Sequence, residues 1–256
     1  MIWRHRTLLW RTTRSDVLSR YSGSAFGPVW LLLQPLLLLG AYAVLQFAMR
    51  ERTAGDGAVE FVLLIFCGLI PFLGTADALS IGTTAVTSNS SLVKNTLFPI
   101  ELVPVKAVLT AQATQGAGTV LLLLALAATG KASGWWLLLP LVWGLQVMFT
   151  IGLVWVLSGA NVFLRDLQQM VGVLILVLMM VSPIGFAADS AAAVAMRTLL
   201  MVNPLSYVIG CFQDCLLLAR FPIRGNLWVL AVLAPVMFLV GHAFFVRLKR
   251  VMTDNV

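Results

Sequence analysis

Charge is what this sequence has least of. Asp, Glu, Lys and Arg together make up 11% of its 256 residues, whereas an average soluble domain carries roughly 25%. A soluble chain of this size must still present a large surface to water. With 60% hydrophobic residues and a mean hydropathy of +0.97, this one cannot do so. Its solvent is lipid.

Other shortages exclude whole classes of chemistry. There are two histidines, His5 and His242, at opposite ends of the chain, and three cysteines, Cys67, Cys211 and Cys215, without a CxxC pair. A structural zinc site wants about four clustered N/S ligands, so none is expected. No HExxH, GxSxG or intramembrane carboxylate pair is present, which leaves a membrane-embedded enzyme without a nucleophile–base or metal constellation. No cleavable signal peptide is expected, because the basic N-terminal stretch leads into an apolar run too long for one. The nearest approach to a phosphate loop, Ala125 to Ala132 with Gly130-Lys131, lacks the first glycine and the Mg²⁺-binding Ser/Thr and closes an apolar run.

What is there is a series of apolar runs. A spanning helix needs about 20 mostly apolar residues, and runs occur at 28–49, 60–82, 107–129, 135–158, 167–187 and 227–246. Residues 188–226 are only half hydrophobic, broken by Pro204 and Pro222, and predict re-entrant or interfacial helices on the periplasmic side. The reading is an all-α integral membrane protein. It has six transmembrane helices, an N-terminal interfacial helix, and re-entrant helices before the last span. One transmembrane domain fills 1–256, with a cytoplasmic or interfacial segment at 1–27 and a cytoplasmic loop at 83–106.

The net charge of +7 invites a nucleic-acid partner, but the cations form no basic stripe and no RNA- or DNA-binding motif. They sit between the apolar runs with an 11-to-6 bias toward the side of the membrane that holds the termini, counting Lys94, Lys106 and Arg165 of the inner loops. That bias predicts both termini in the cytoplasm. Asp77 is the one carboxylate inside a run. It is read either as a charge in the transport pathway or as an interface residue bonded to Thr75 or Ser80.

Several segments, in order, resemble the permease subunits of bacterial ABC-type polysaccharide exporters, the family handling O-antigen, capsule and teichoic acid chains. They are Arg20-Tyr21-Ser22-Gly23-Ser24-Ala25-Phe26-Gly27-Pro28-Val29-Trp30, Gly68-Leu69-Ile70-Pro71-Phe72, and Ser88-Asn89-Ser90-Ser91-Leu92-Val93-Lys94-Asn95-Thr96-Leu97-Phe98-Pro99. Asn161-Val162-Phe163-Leu164-Arg165-Asp166 with Ser182-Pro183-Ile184 follows, and then Asn203-Pro204-Leu205. Phe26 stands where the family usually has leucine. The resemblance implies a homodimer in the bacterial inner membrane with two copies of a separate ATPase subunit. That subunit would hold ATP and Mg²⁺, so this chain needs no cofactor and is no enzyme. It further implies lipid-linked polysaccharide as cargo and a hand-over to periplasmic or outer-membrane export components.

The residues offer places for these roles. An ATPase must be met by a cytoplasmic helix, and the loop carrying Ser88, Asn89, Leu92, Val93, Lys94 and Asn95 is the inner loop long enough to form one. Ser88, Asn89 or Ser90 would cap it and Pro99 would close it. Trp3, Trp10 and Val17 recur at seven-residue spacing among arginines, as in a helix lying at headgroup level. Arg14 and Arg20 precede a turn containing Gly23 and Gly27, where a guanidinium fork suits pyrophosphate oxygens and glycine allows close approach. Tyr42, Phe47, Phe72, Asp77 and Trp155 are candidates for a glycan pathway. A permease for drugs or other small lipophiles and a membrane-embedded enzyme are the alternatives.

Overall fold

The computed structural model describes residues 5–20, 22–49, 57–89, 99–186, 197–222 and 225–252. Among them every regular element is helical: α1 (Arg6–Arg20), α2 (Trp30–Met49), α3 (Ala58–Thr83), the short α4 (Ala85–Ser88), α5 (Leu102–Ala128), α6 (Leu139–Asn161), α7 (Leu167–Val181), α8 (Arg197–Val202), α9 (Pro204–Leu216) and α10 (Asn226–Met252). Four stretches, Val59–Thr83, Leu102–Ala128, Gly134–Asn161 and Asn226–Lys249, are long and apolar enough to cross a membrane. They coincide with four of the six expected runs. The other two runs hold shorter apolar helices. The expected 167–187 helix stops at Val181 because Pro183 drives Ser182 into extended backbone, φ −80° and ψ 146°. At 15 residues α7 is about 22 Å long, against roughly 30 Å of hydrocarbon.

Local chemistry sets the other boundaries. Ser133 accepts a hydrogen bond from the Trp135 N–H at 3.2 Å, which starts the 3₁₀ stretch Gly134–Leu138 leading into α6. The rejected Gly130-Lys131 motif ends α5. Gly130 sits at φ +72°, the Lys131 N–H closes back on the Leu126 carbonyl at 2.9 Å, and the Lys131 ammonium pairs with Glu60 at 2.5 Å. Within 188–226, Asn203 caps α9 by accepting from the Leu205 N–H at 3.0 Å, with Pro204 at the first helical position. At 13 residues α9 measures about 20 Å, too short to span.

The bundle is organised around α3, which packs on α5, α6, α9, α2 and α7. Its buried residues belong to two apolar clusters. One, at the end where α3 begins, joins Leu63, Ile65, Leu69 and Phe72 to Leu122, Leu126 and the buried face of α9. The other, at the end bearing α1, joins Ala78 and Leu79 to Val103, Val108, Val154 and Phe245.

A polar layer lies between them. Gln115 and Gln146, both buried, exchange two hydrogen bonds at 2.9 Å, and the Gln146 amide also donates to the Pro71 carbonyl at 2.9 Å and to Thr75 Oγ1 at 3.0 Å. Pro71 has no N–H to offer the Cys67 carbonyl four residues back, while its own carbonyl accepts from both the Gln146 amide and Thr75 Oγ1. Polar groups buried in an apolar bundle must find partners of this kind.

α1 docks on the bundle through Leu9, Thr13, Asp16 and Arg20, spaced to share one helical face. Asp16 pairs with the buried Lys106 of α5 at 2.8 Å. Trp10 is 70% exposed, away from that face. Val17 is half-buried, and Trp3 lies outside the described residues.

Candidate functional site

A cleft of about 270 Å³ opens between α2, α3, α5 and α7. Small residues make the room, namely Gly74 and Ala76 on α3, Gly118 on α5 and Gly172 on α7. Gly74 is irreplaceable on steric grounds, because a Cβ there would run into the Gln115 side chain. Ile70, Leu73, Pro35 and Ile175 give the cleft an apolar wall, while Gln34, Asp77, Ser80, Thr114 and Gln115 give it hydrogen-bonding groups. A site lined this way accepts a ligand with an apolar part and a few hydroxyl or amide partners. Gln115 belongs to both the cleft and the polar layer, so the far end of the cleft is stiffened by the bond to Gln146.

Asp77 is where the cleft meets α1. Arg20 holds its carboxylate in a two-pronged contact, Nη1 to Oδ2 and Nη2 to Oδ1, both at 2.7 Å. One of the two readings of Asp77 paired it with Thr75 or Ser80. Thr75 Oγ1 is instead committed to the Pro71 carbonyl at 3.0 Å, and the guanidinium supplies both bonds. The fork-on-carboxylate geometry is the one Arg also uses on phosphate oxygens. The Asp77 side chain is 21% and the Arg20 side chain 31% exposed, so the pair is reachable by solvent.

The other expected site residues scatter. Arg14 is exposed on α1, six residues and so roughly 120° around the helix from Arg20. Gly23 and Gly27 carry φ +81° and +48°, and nothing lies within 4 Å of a Cβ at either. The turn therefore demands glycine for its backbone, not for want of space. Phe72 and Trp155 are each 1% exposed and are core residues that do not line this cleft. Trp155 donates its indole N–H to the Glu101 carbonyl at 2.9 Å. Tyr42 and Phe47 lie on α2, with side chains outside those described.

In the loop at 83–106, α4 and the start of α5 take up 85–88 and 102–106. Ser88 donates to the Thr84 carbonyl at 2.7 Å and Asn89 to the Ala85 carbonyl at 2.8 Å. Both close back on the first turn of α4, and the helix they were expected to cap falls on residues 90–98, outside the described residues. Leu92, Val93, Lys94 and Asn95 lie outside the described residues.

Among the described residues no three His, Cys, Asp or Glu side chains come together to hold a metal ion. The polar residues that sequence reasoning missed are Gln34, Thr114 and Gln115. The signal was available, since glutamine is uncommon in an apolar run, but it does not say which face the amide takes.

Comparison with known proteins follows this geometry. A family model described as ABC-2 type transporter matches residues 6–217. The chain is 26% identical over 251 residues to the O-antigen export system permease protein RfbA of Myxococcus xanthus, covering 95% of this chain and 93% of that one. It is 25% identical over 244 residues to an O-antigen export system permease protein RfbA of Klebsiella pneumoniae, covering 93% and 90%. A second Klebsiella pneumoniae protein of that name is 25% identical over 209 residues, covering 79% and 77%.

Proposed function

The chain belongs to the ABC-2 type transporter family, and from that premise we propose that it moves lipid-linked polysaccharide, of capsule or O-antigen type, out across the bacterial inner membrane. It is a multi-pass membrane protein and the membrane subunit of a polysaccharide exporter, powered by a partner ATPase. The observation that carries this reading is similarity to O-antigen export permeases along 90% or more of both chains. We take the working unit to be two copies of this chain with two ATPase subunits, which hold ATP and Mg²⁺.

In this proposal the Arg20–Asp77 pair is the receiving point for cargo. A lipid-linked glycan presents a pyrophosphate at headgroup level with its tail still in the bilayer. Its oxygens compete with the Asp77 carboxylate for the Arg20 fork, and Arg14 and the Gly23–Gly27 turn flank the approach. Released from Arg20, Asp77 becomes an acceptor for sugar hydroxyls at the lip of the cleft. Tyr42 and Phe47 of α2 offer ring faces to the polymer, and Phe72 and Trp155 stiffen the frame.

Loss of the gene is expected to abolish surface polysaccharide and leave drug sensitivity unchanged. The reverse pattern would make the chain a permease for small lipophiles. Export that survives inactivation of the partner ATPase would remove it from the ATP-driven class altogether.

The proposal also fixes a topology, with both termini inside, α2 and the whole 167–187 run that α7 begins completing six spans, and α8 and α9 on the periplasmic side. Gly55→Cys should react with a membrane-impermeant thiol reagent in intact cells and Leu92→Cys should not. The native cysteines Cys67, Cys211 and Cys215 are buried and give little background. Labelling at position 92 from outside would refute the arrangement.

A further inference from the structure

Glu101 stands at the junction of the 83–106 loop and α5, and two other helices hold it there. Its backbone carbonyl accepts the Trp155 indole N–H of α6 at 2.9 Å. Its carboxylate Oε1 accepts from the Lys249 ammonium of α10 at 2.6 Å. The carboxylate leaves the usual task of an N-terminal acid, since it caps no backbone N–H of α5. It is nearly buried, its side chain 7% exposed, and Oε2 has no hydrogen-bond partner among the described residues. Burying a carboxylate with half its acceptor capacity unused is unfavourable. The contact is poorly explained as a stabilising one.

Its surroundings explain it better. α6 and α10 make the most extensive helix pair in the bundle. They meet at Gly152 and Gly241, where a Cβ on either would strike the other helix's backbone. The Trp155 ring extends this lock with edge contacts to Phe238 at 5.0 Å and His242 at 5.1 Å. The two helices therefore move as one body, and Glu101 is bonded to each of them. At the opposite end both pack against α9.

We propose that Glu101 and Lys249 are positioning residues of energy coupling, tying the chain leaving the ATPase-facing loop to the α6–α10 pair. A displacement of the loop is then delivered to α6 and α10 together and through them to α9 at the far end. The half-used carboxylate keeps the tie exchangeable, as a contact remade in each cycle must be. The proposal rests on the reading that the 83–106 loop meets the ATPase, and the test separates the two.

The experiment uses the full complex of this chain with its partner ATPase, and reads ATP hydrolysed and polysaccharide exported for each variant. Lys249 has a 41% exposed side chain, so Lys249→Met perturbs packing little. It is expected to hydrolyse ATP within about twofold of wild type and to export at least about fivefold less per ATP. Lys249→Arg, which keeps the charge, should recover most of that ratio. A merely structural role would instead lower assembly and leave the ratio alone. Glu101→Gln retains the backbone bond to Trp155 and should reproduce the uncoupling should Lys249→Met assemble poorly. An unchanged ratio in both variants overturns the tie. Val93→Pro is the arm for the loop. If it leaves ATP hydrolysis, assembly and export unchanged, the loop reading fails and the tie falls with it. If Val93→Pro uncouples while Lys249→Met and Glu101→Gln do not, the tie alone is wrong.

Discussion

Replacing Arg20 with lysine should leave insertion and protein level unchanged and lower polysaccharide export by about tenfold or more. The magnitude is that of a charge-assisted hydrogen bond, roughly 1.5–3 kcal/mol or about ten- to a hundredfold. Lysine keeps the positive charge that topology needs, so insertion is insensitive to the exchange. What it lacks is the planar fork.

Because that fork also holds Asp77 at 2.7 Å on both oxygens, the single variant does not distinguish two roles. A double-mutant cycle does. If Arg20 serves only to fix Asp77, then Asp77→Asn should be as damaging as Arg20→Lys. In the Asp77→Asn background the lysine should then add nothing. If Arg20 receives pyrophosphate, Asp77→Asn removes a competitor and a cleft acceptor but spares the fork. Arg20→Lys should then still cost about tenfold on top of it. The second outcome is the one expected, and it is measured as surface polysaccharide at equal protein level. A cycle in which the two substitutions are fully redundant would reduce Arg20 to a structural clasp on α1.

The other large effect expected is on folding. Gly241→Leu should eliminate monodisperse protein after detergent extraction, whereas Gly144→Leu should leave the elution profile and thermal midpoint close to wild type. Both glycines lie inside long apolar helices, α10 and α6. At Gly241 a Cβ meets the backbone of Gly152, and backbone has no rotamer with which to yield. At Gly144 nothing lies within 4 Å. Overpacking a core costs typically about 1–3 kcal/mol when side chains can shift, and here they cannot substitute for a helix moving bodily away. Small residues at such crossings let backbones approach closely enough for dispersion to hold helices together in lipid. Moving α10 off α6 would also pull Lys249 from Glu101, so weakly folding Gly241 variants are expected to be uncoupled.

Much was legible in the chain before its fold was known, for reasons that are local. Length and apolarity of a run are properties of consecutive residues, and hydrocarbon thickness converts them directly into a span. Four runs became helices of spanning length, and Pro204, read as a break, opens α9; Pro183, read through as part of the 167–187 run, ends α7 early. Gly130-Lys131 was rejected as a phosphate loop on its missing residues, and it proved to be the end of α5, with Lys131 paired to Glu60. The polar residues within runs were visible as anomalies, and Asp77 among them does line the cleft.

Where those residues pointed was not legible. In a water-soluble helix the polar face tells which side is buried. Here lipid and core are equally apolar, so α3, α5 and α6 show no stripe to read. Phe72 and Trp155 looked as available to a polymer as Tyr42, yet both are enclosed by the bundle. Ser88 and Asn89 turn their side chains back onto the Thr84 and Ala85 carbonyls of α4, contacts that no local pattern announced.

By itself the sequence determined the solvent, four spans and the break at Asn203-Pro204, because each follows from neighbouring residues and from what a bilayer tolerates. Only the tertiary structure decided the partners. Arg20 meets Asp77 across 57 residues, Gln115 meets Gln146 across 31, and Glu101 meets Lys249 across 148. Such pairs form because a polar group withdrawn from water must be met by another, and which one meets it depends on where the glycine crossings bring the helices together.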